Sequence, residues 1–341
     1  MFKRTIIGLI AVGVAGAFTL PASQAAEAGH ATLRIQQYPG SAIGFTEWVA
    51  VAKGFCAKEG ITCQLVNVPS SPLGLAALAS NSLDIALTST DVAIESASRG
   101  NDVQIVVDDT PGSIWTLGVR PGISLPHLKD HYPAVMQDIK GLKLGVTARG
   151  SAAELITRVL FSGAGMSPDS ATYVAVGSPG TAYEALVGGK VDADMMFWPG
   201  QIICETEKTC VAAVDLTRGE GPSEIKSLNG AYLPFVAERS YIAAHPAAIN
   251  AFIRAIEEAS AWVKDPKNRN DLYQIVSVQL KLGSGIANPD KVLHAIVDRM
   301  APEFDAHVDR KAVAAMENFL LKYKQISNPV DPASMVYAKA P

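Results

Sequence analysis

Hydrophobic and polar positions along the chain follow two periods, and their succession predicts an α/β protein. Segment 31–38 alternates as a strand, and segment 44–59 has the spacing of a helix that ends at Gly60. Further strands are predicted at 62–68, 83–89 and 103–109, with helices at 72–80 and 91–99 between them. The resulting order, β-α-β-α-β-α-β, is typical of an open parallel sheet with helices on both faces.

The same pattern starts again at 141–146 and contains an internal repeat. Ser71-Pro72 opens a short helix that leads to a strand with Asp84, and Ser178-Pro179 opens a short helix that leads to a strand with Asp192. Two copies of this order predict two lobes that are built alike. After His245-Pro246 the chain is predicted to be helical to about residue 324, without strands of its own.

The length of 341 residues also requires more than one core, because single cores stop growing at roughly 250–300 residues. We predict that lobe one comprises 26–115 and 231–341, and that lobe two comprises 116–230. The C-terminal helices then pack on lobe one, and the chain crosses between the lobes twice. Two connecting strands therefore form a hinge beside a cleft.

The N-terminus has the features of an export signal. Lys3 and Arg4 precede the apolar run 6–20, and Pro21 and Ser23-Gln24-Ala25 follow it. We predict a cleavable signal peptide at 1–25, a mature chain from Ala26 and a periplasmic location; an uncleaved membrane anchor is the alternative. The mature chain has 27 basic and 33 acidic residues, so its net charge of −6 argues against nucleic acid or anionic lipid as a partner.

The four cysteines fall into two close couples, and an exported protein is expected to pair them. Loop-closure entropy favours the local pairing, Cys56 with Cys63 and Cys204 with Cys210, each joining a helix to the strand that follows. A metal site is the alternative. The spacings of seven and six residues do not match a C-x₂₋₄-C ligand pair, and no His accompanies them.

Helix starts that follow strands supply most of the candidate ligand-binding residues. Their hydroxyls and free backbone N–H groups form anion sites, and a guanidinium can bind a carboxylate or sulfonate through two hydrogen bonds. The alternative is that these serines and threonines only cap helices. The predicted set is Tyr38, Ser41, Thr88, Ser89, Thr90, Arg149, Ser151, Ser178, Phe197 and Trp198.

Enzyme motifs do not account for the chain. The sequence lacks G-x-S-x-G, H-E-x-x-H, the phosphate-binding G-x-x-x-x-G-K-[ST] and a G-x-G-x-x-G that follows a strand. The acidic pair Asp108-Asp109 is interpreted as a turn at an exposed strand end. We therefore predict no catalytic residue, no cofactor and no metal.

Three blocks, taken in order, resemble a known family. They are Ser82-Leu83-Asp84-Ile85 leading to Thr88-Ser89 and Gly100, the segment 138–146 followed by Arg149-Gly150-Ser151, and Gly189-Lys190-Val191-Asp192-Ala193 leading to Phe197-Trp198-Pro199. Together they resemble the periplasmic solute-binding proteins of ABC importers for sulfonates, nitrate and taurine, which are related to pyrimidine-binding thiamine-precursor proteins. The resemblance spans most of 31–240 and implies a two-lobed Venus flytrap with a two-stranded hinge.

The resemblance also bears on the ligand and the partners. The last block of that family usually ends Trp-Asp-Pro, whereas here Phe197 takes the place of the aromatic residue and Trp198 that of the acid. This difference argues against an amine-bearing ligand such as taurine and favours a small alkyl or aromatic sulfonate or carboxylate, with Trp198 facing it. The implied partners are a membrane permease and an ATPase, and the protein is expected to be a monomer.

Three other functions remain open at this point. They are binding of a pyrimidine or thiamine precursor, the catalysis of a pyrimidine synthase, and sensing by a clamp that does not serve transport.

Overall fold

The computed structural model describes residues 31–283 and 285–341, in which strands lie between helices. The strands are β1 Ala31–Gln37, β2 Ile61–Asn67, β3 Ala86–Leu87, β4 Val103–Thr110, β5 Trp115–Val119, β6 Lys143–Val146, β7 Thr172–Ala175, β8 Ala193–Phe197, β9 Val211–Asp215 and β10 Leu233–Glu238. The helices are α1 Phe45–Ala52, α2 Phe55–Lys58, α3 Ser71–Ala79, α4 Thr90–Ser98, α5 Met136–Ile139, α6 Ala152–Gly163, α7 Pro179–Val187, α8 Gly200–Glu207, α9 Ser223–Lys226, α10 Arg239–Ala244, α11 Pro246–Lys264, α12 Arg269–Gln279, α13 Pro289–Met300 and α14 Arg310–Lys322. The predicted signal peptide 1–25 lies outside the described residues.

The first half of the fold, which we call the β1–β4 half, contains β1 to β4 and β10. β1 pairs with β2 in parallel, and an isolated bridge between Ile35 and Ile85 joins β1 to the chain just before β3. β10 lies between β3 and β4 and is antiparallel to both. The prediction of a purely parallel sheet was therefore wrong, because a strand that follows the other half inserts in the opposite direction.

The second half, which we call the β5–β9 half, is built on one five-stranded sheet in the order β7-β6-β8-β5-β9. β6 is parallel to β7 and β8, whereas β5 is antiparallel to β8 and β9. β8 is buried along its whole length and lies at the centre of this sheet. Residues at its carboxyl end are consequently held in place from both sides.

Two chain segments connect the halves and run side by side. The first joins β4 to β5 and the second leads from α9 to β10. The Gly230 amide donates to the Pro111 carbonyl at 2.7 Å, and the Ser113 amide donates to Asn229 Oδ1 at 3.1 Å. The fold therefore has the paired connection that a hinge requires. The lobe boundaries at 26–115, 116–230 and 231–341 stay a prediction.

Two predicted elements of the β1–β4 half differ in length. The helix expected over 44–59 is interrupted between α1 and α2, because Gly54 adopts a left-handed conformation with φ of 76°. The strand expected over 83–89 is regular only at Ala86–Leu87, because Ser89 already caps the start of α4. The C-terminal helix α11 packs on α1, α2 and β4.

Both predicted disulfides are present. Cys56 of α2 bonds to Cys63 of β2 with a Cα separation of 6.0 Å, and Cys204 of α8 bonds to Cys210 with a separation of 5.4 Å. The first bond joins a helix to the strand that follows it, and the second ends one residue before β9. Within residues 31–283 and 285–341, no helix has the length and apolarity to cross a bilayer.

Candidate ligand-binding site

A small cavity lies where the carboxyl ends of β1, β6 and β8 meet. Its volume is about 20 Å³, close to that of a single water-sized group. Both halves and the connection between them contribute to its wall. The lining residues are Tyr38, Ile43, Ser71, Ser89, Ile114, Trp115, Thr147, Ser151, Ala152, Phe197 and Leu233.

Three helix starts supply the serines of this wall. Ser89 and Ser151 are the N-cap residues of α4 and α6, with extended backbones, and Ser71 is the first residue of α3. Neither N-cap side chain bonds the first turn of its own helix, and Ser89 Oγ has no partner among the described residues. The first-turn N–H groups of a helix lack intrahelical partners as well. The cavity therefore offers hydrogen-bond donors that are suited to an acceptor or anionic group.

Three aromatic rings form the apolar part of the wall. Tyr38 and Phe197 meet edge to face with centroids 6.1 Å apart, and Trp115 lies 5.4 Å from Phe197. The Tyr38 hydroxyl is 2.8 Å from Ser71 Oγ and donates to the Leu87 carbonyl at 3.1 Å. Burial raises the pKa of Tyr38 well above its usual value, so this hydroxyl stays protonated.

A second cavity, of about 10 Å³, adjoins the first and shares Thr147 and Phe197 with it. Asp194 of β8 lines this space, is 1% exposed and has no hydrogen-bond partner for either carboxylate oxygen within the described residues. Desolvation raises the pKa of Asp194 to about 8. Among the described residues that line the two cavities there is neither Lys nor Arg.

Arg149, the residue expected to hold an anion, does not line either cavity. Its guanidinium bonds Glu154 at 2.9 Å and lies 5.7 Å from the centroid of the Tyr173 ring, and its side chain is 59% exposed. Glu154, in the first turn of α6, also accepts a hydrogen bond from the Gly150 amide. This carboxylate holds the guanidinium at the surface, and the geometry argues against the expected role.

The other predicted residues divide into two groups. Tyr38, Ser89, Ser151 and Phe197 line the first cavity. Four others lie outside this wall. Ser41 donates to the Trp198 carbonyl at 2.9 Å, and Thr90 Oγ1 donates to the Ala231 carbonyl. Thr88 is buried without a hydroxyl partner among the described residues, and Ser178 lines a separate cavity with Gly40.

Of the two rings of Phe197-Trp198, only Phe197 lies in the cavity wall. Phe197 lies in the wall, whereas Trp198 is 6% exposed, is absent from the lining and supplies its carbonyl to Ser41. Phe197 pairs with Trp115 across β8 and β5, and this register brings the two rings together. At the position where the family usually has an acid, Trp198 thus contributes its backbone carbonyl to a contact between the halves.

The halves touch directly at the edge of the cavity. Besides the bond from Ser41 to Trp198, Gly40 approaches Gly180 so closely that a Cβ at Gly40 would lie 3.3 Å from the Gly180 nitrogen. The halves therefore lie against each other beside a space of only about 20 Å³. An organic solute is larger than this space, so its binding there requires the halves to move apart.

The acidic pair near the hinge corrects a further expectation. Asp108 and Asp109 are both 0% exposed, not an exposed turn, and the Asp109 side chain bonds Thr46 and Thr110. Desolvation raises the pKa of Asp109 to about 8. The pair lies near the end of β4, which is buried along its whole length, so the side chains on both of its faces are inside the protein.

Sequence reasoning missed several wall residues. Trp115 begins β5, Thr147 directly follows β6, and Ser71 was considered only as the opening of a helix. Asp194 is the one acid in the otherwise apolar run 193–198, and this contrast is the signal that could have identified it.

The chain is similar to proteins of known structure. It has a TM-score of 0.64 and 17% identity with the periplasmic aliphatic sulphonate binding protein SsuA of Escherichia coli, covering 91% of this chain and 98% of that one. It has a TM-score of 0.69 and 15% identity with the periplasmic nitrate-binding protein NrtA of Synechocystis, covering 90% and 85%. These likenesses establish the periplasmic binding protein fold, an α/β fold with mixed sheets.

A curated relative and a family model define the lineage. The 4-amino-5-hydroxymethyl-2-methylpyrimidine phosphate synthase of Schizosaccharomyces pombe is 26% identical over 227 residues, which are 64% of this chain and only 62% of that enzyme. The model of the NMT1-like family matches residues 45–277, more than half of the chain. The chain belongs to the NMT1-like family.

Proposed function

We propose that the chain is the solute-binding component of an ABC import system and captures a small organic anion, a sulfonate or carboxylate with an apolar or aromatic body. The observation that carries the proposal is the cavity wall. It combines three helix starts with three aromatic rings and draws them from both halves. The sulphonate-binding and nitrate-binding proteins of similar fold support it.

Each part of the wall has a separate task. The anionic end of the solute accepts hydrogen bonds from the Ser89 and Ser151 hydroxyls and from the N–H groups that open α4 and α6. The rings of Tyr38, Trp115 and Phe197 cover its body. Helix dipoles attract the charge without a buried cation, so the solute leaves again without breaking an ion pair.

Capture proceeds by closure of the hinge. The solute first meets Tyr38 and Ser89 in the β1–β4 half, and the β5–β9 half then brings Ser151 and Phe197 over it. Contacts made only when both halves touch the solute shift the population toward the closed form. The closed form is the one that the membrane permease recognises in the periplasm.

A ligand screen on the mature protein, residues 26–341, tests the proposal. Alkyl and aryl sulfonates and carboxylates are expected to raise the melting temperature, since a ligand at about 100 times its Kd stabilises the folded state by about 2.7 kcal/mol. For the best hit, calorimetry is expected to show that Ser89→Ala and Ser151→Ala each weaken binding more than tenfold.

Ser223→Ala is the matched control, because Ser223 also opens a helix but is exposed and distant from the cavity wall. It should bind as the wild type does. A screen in which no organic anion binds, or serine variants with unchanged affinity, would contradict the proposal.

The synthase relative makes catalysis the competing function. Thiol or imidazole chemistry finds no support in the wall, since the four cysteines form disulfides and the lining residues include no His. Formation of a pyrimidine phosphate by the purified protein would decide for the enzyme. Binding of a pyrimidine without turnover would instead indicate a precursor-binding protein.

A further inference from the structure

The side chain of Asp194 places a buried carboxyl group beside an apolar cluster on one face of the β5–β9 sheet. Met196 lies on the same face two residues further along β8, packed with Leu186 and Cys204. Both Asp194 oxygens lack hydrogen-bond partners in the part of the chain that the structure describes. Such a carboxylate is costly to bury without a partner, so its presence calls for an explanation.

The neighbouring strands leave room for this side chain. Asp194 is in register with Gly145 of β6 and with Gly118 of β5. A Cβ at Gly145 would collide with Asp194 Oδ1, and a Cβ at Gly118 would collide with the methyl group of Met196. Glycine at these two positions therefore keeps the space that the carboxylate and its neighbour occupy.

The space in front of the carboxylate is shaped for one small group. Gly177, which precedes α7, and Pro179 and Tyr183 of α7 cover it, and its volume is about 10 Å³. The Tyr183 hydroxyl is engaged with Thr209 Oγ1 at 2.9 Å. The wall shared with the first cavity, Thr147 and Phe197, puts this space beside the site proposed for the solute.

We propose that Asp194 binds an amino group of the transported solute. This inference rests on the proposed function and refines it: the solute carries an amino nitrogen as well as its anionic end. The carboxylate accepts hydrogen bonds from the nitrogen, the rings cover the body, and the helix starts bind the anion. The acid that is missing at Trp198 is thus supplied from β8.

The charges of the wall favour such a solute over a simple anion. The described lining residues bring no cationic side chain to either cavity, while Asp194 brings a carboxylate. An anion without an amino group would leave the buried Asp194 carboxyl group without a hydrogen-bond partner, whereas an amino group would pair with it. A solute with both charges, or with an anion and a neutral amine, satisfies both ends of the site.

Pairs of ligands that differ only in the amino group test the inference. Calorimetry compares 3-aminopropanesulfonate with propanesulfonate, and 4-aminobenzenesulfonate with benzenesulfonate. In at least one pair, the amino member should bind the wild type more than tenfold more tightly. Asp194→Asn should remove that preference while leaving the affinity for the member without the amino group within about threefold.

Glu47→Gln is the matched control. Glu47 is also 1% exposed and also lacks partners for both oxygens in the described structure, but it lies outside the lining of the two cavities. Its variant should keep the preference for the amino ligand.

Equal affinities within both pairs, or a preference that persists in Asp194→Asn, overturn the inference and leave the proposed function standing. A wild type that binds no member of either pair, and no other organic anion, overturns both.

Discussion

At the scale of single residues, the local sequence predicted which serines open helices, but it did not predict where the long side chain of Arg149 points. Ser89 and Ser151 line the cavity as expected, because an N-cap is defined by the residues next to it. Arg149 is turned away by Glu154 and Tyr173, and Tyr173 comes from β7, 24 residues further along the chain. Such a contact is tertiary, so helix-start patterns do not reveal it.

Arg149→Ala tests this correction directly. Because the ion pair with Glu154 is largely exposed on the arginine side, its removal should cost at most about 1 kcal/mol of stability. We expect calorimetry to show a change in ligand affinity of less than threefold. Arg254→Ala, which removes another exposed pair, with Glu59, is the control. A loss of more than tenfold that is specific to Arg149 would restore it as the anion-binding residue.

At the scale of elements, the internal repeat has a structural explanation. Asp84 accepts a hydrogen bond from the Arg34 amide of β1 at 2.7 Å, and Asp192 accepts one from the Lys143 amide of β6 at 3.1 Å. Each carboxylate also pairs with an arginine, Arg34 or Arg120. The two copies thus anchor a neighbouring strand in each half, at Arg34 inside β1 and at Lys143, the first residue of β6.

Strand direction was harder to predict than strand position. The sequence at 231–236 is strand-like and β10 lies at 233–238, yet nothing in its local pattern shows that it inserts antiparallel between β3 and β4. That arrangement depends on where the chain returns from the other half. Length, repeat and periodicity therefore predicted the class of fold, and the sheet order had to come from the structure.

At the scale of the whole molecule, buried carboxyl groups should make stability depend on pH. Desolvation is the main cause that raises four pKa values: Asp91 to about 6, Glu95 to about 7, and Asp109 and Asp194 to about 8. Their ordinary values are 3.8 for Asp and 4.5 for Glu. The folded state therefore holds these protons more tightly than the unfolded state does.

The sign follows from linkage. The stabilisation is fully present below the ordinary values and is lost as the pH rises through the raised ones, so the melting temperature of the ligand-free protein should fall from about pH 5 to about pH 8. Asp194→Asn should reduce this fall, since it removes one of the four groups. Thermal denaturation across this range measures both effects. A melting temperature that rises over the range would contradict the buried, protonated state of these acids.

Closure is the central claim about the molecule as a whole, and the contact between Gly40 and Gly180 offers a way to control it. A Cβ at Gly180 would be 3.9 Å from the Gly40 Cα, an ordinary contact, so Gly180→Ala should close normally. The longer side chain of Gly180→Leu would extend into Gly40 and hold the halves apart.

Small-angle X-ray scattering with and without the best ligand of the screen is the most direct measurement of closure. The account predicts that ligand lowers the radius of gyration of the wild type and of Gly180→Ala but not that of Gly180→Leu; an unchanged wild-type radius at saturating ligand would contradict it.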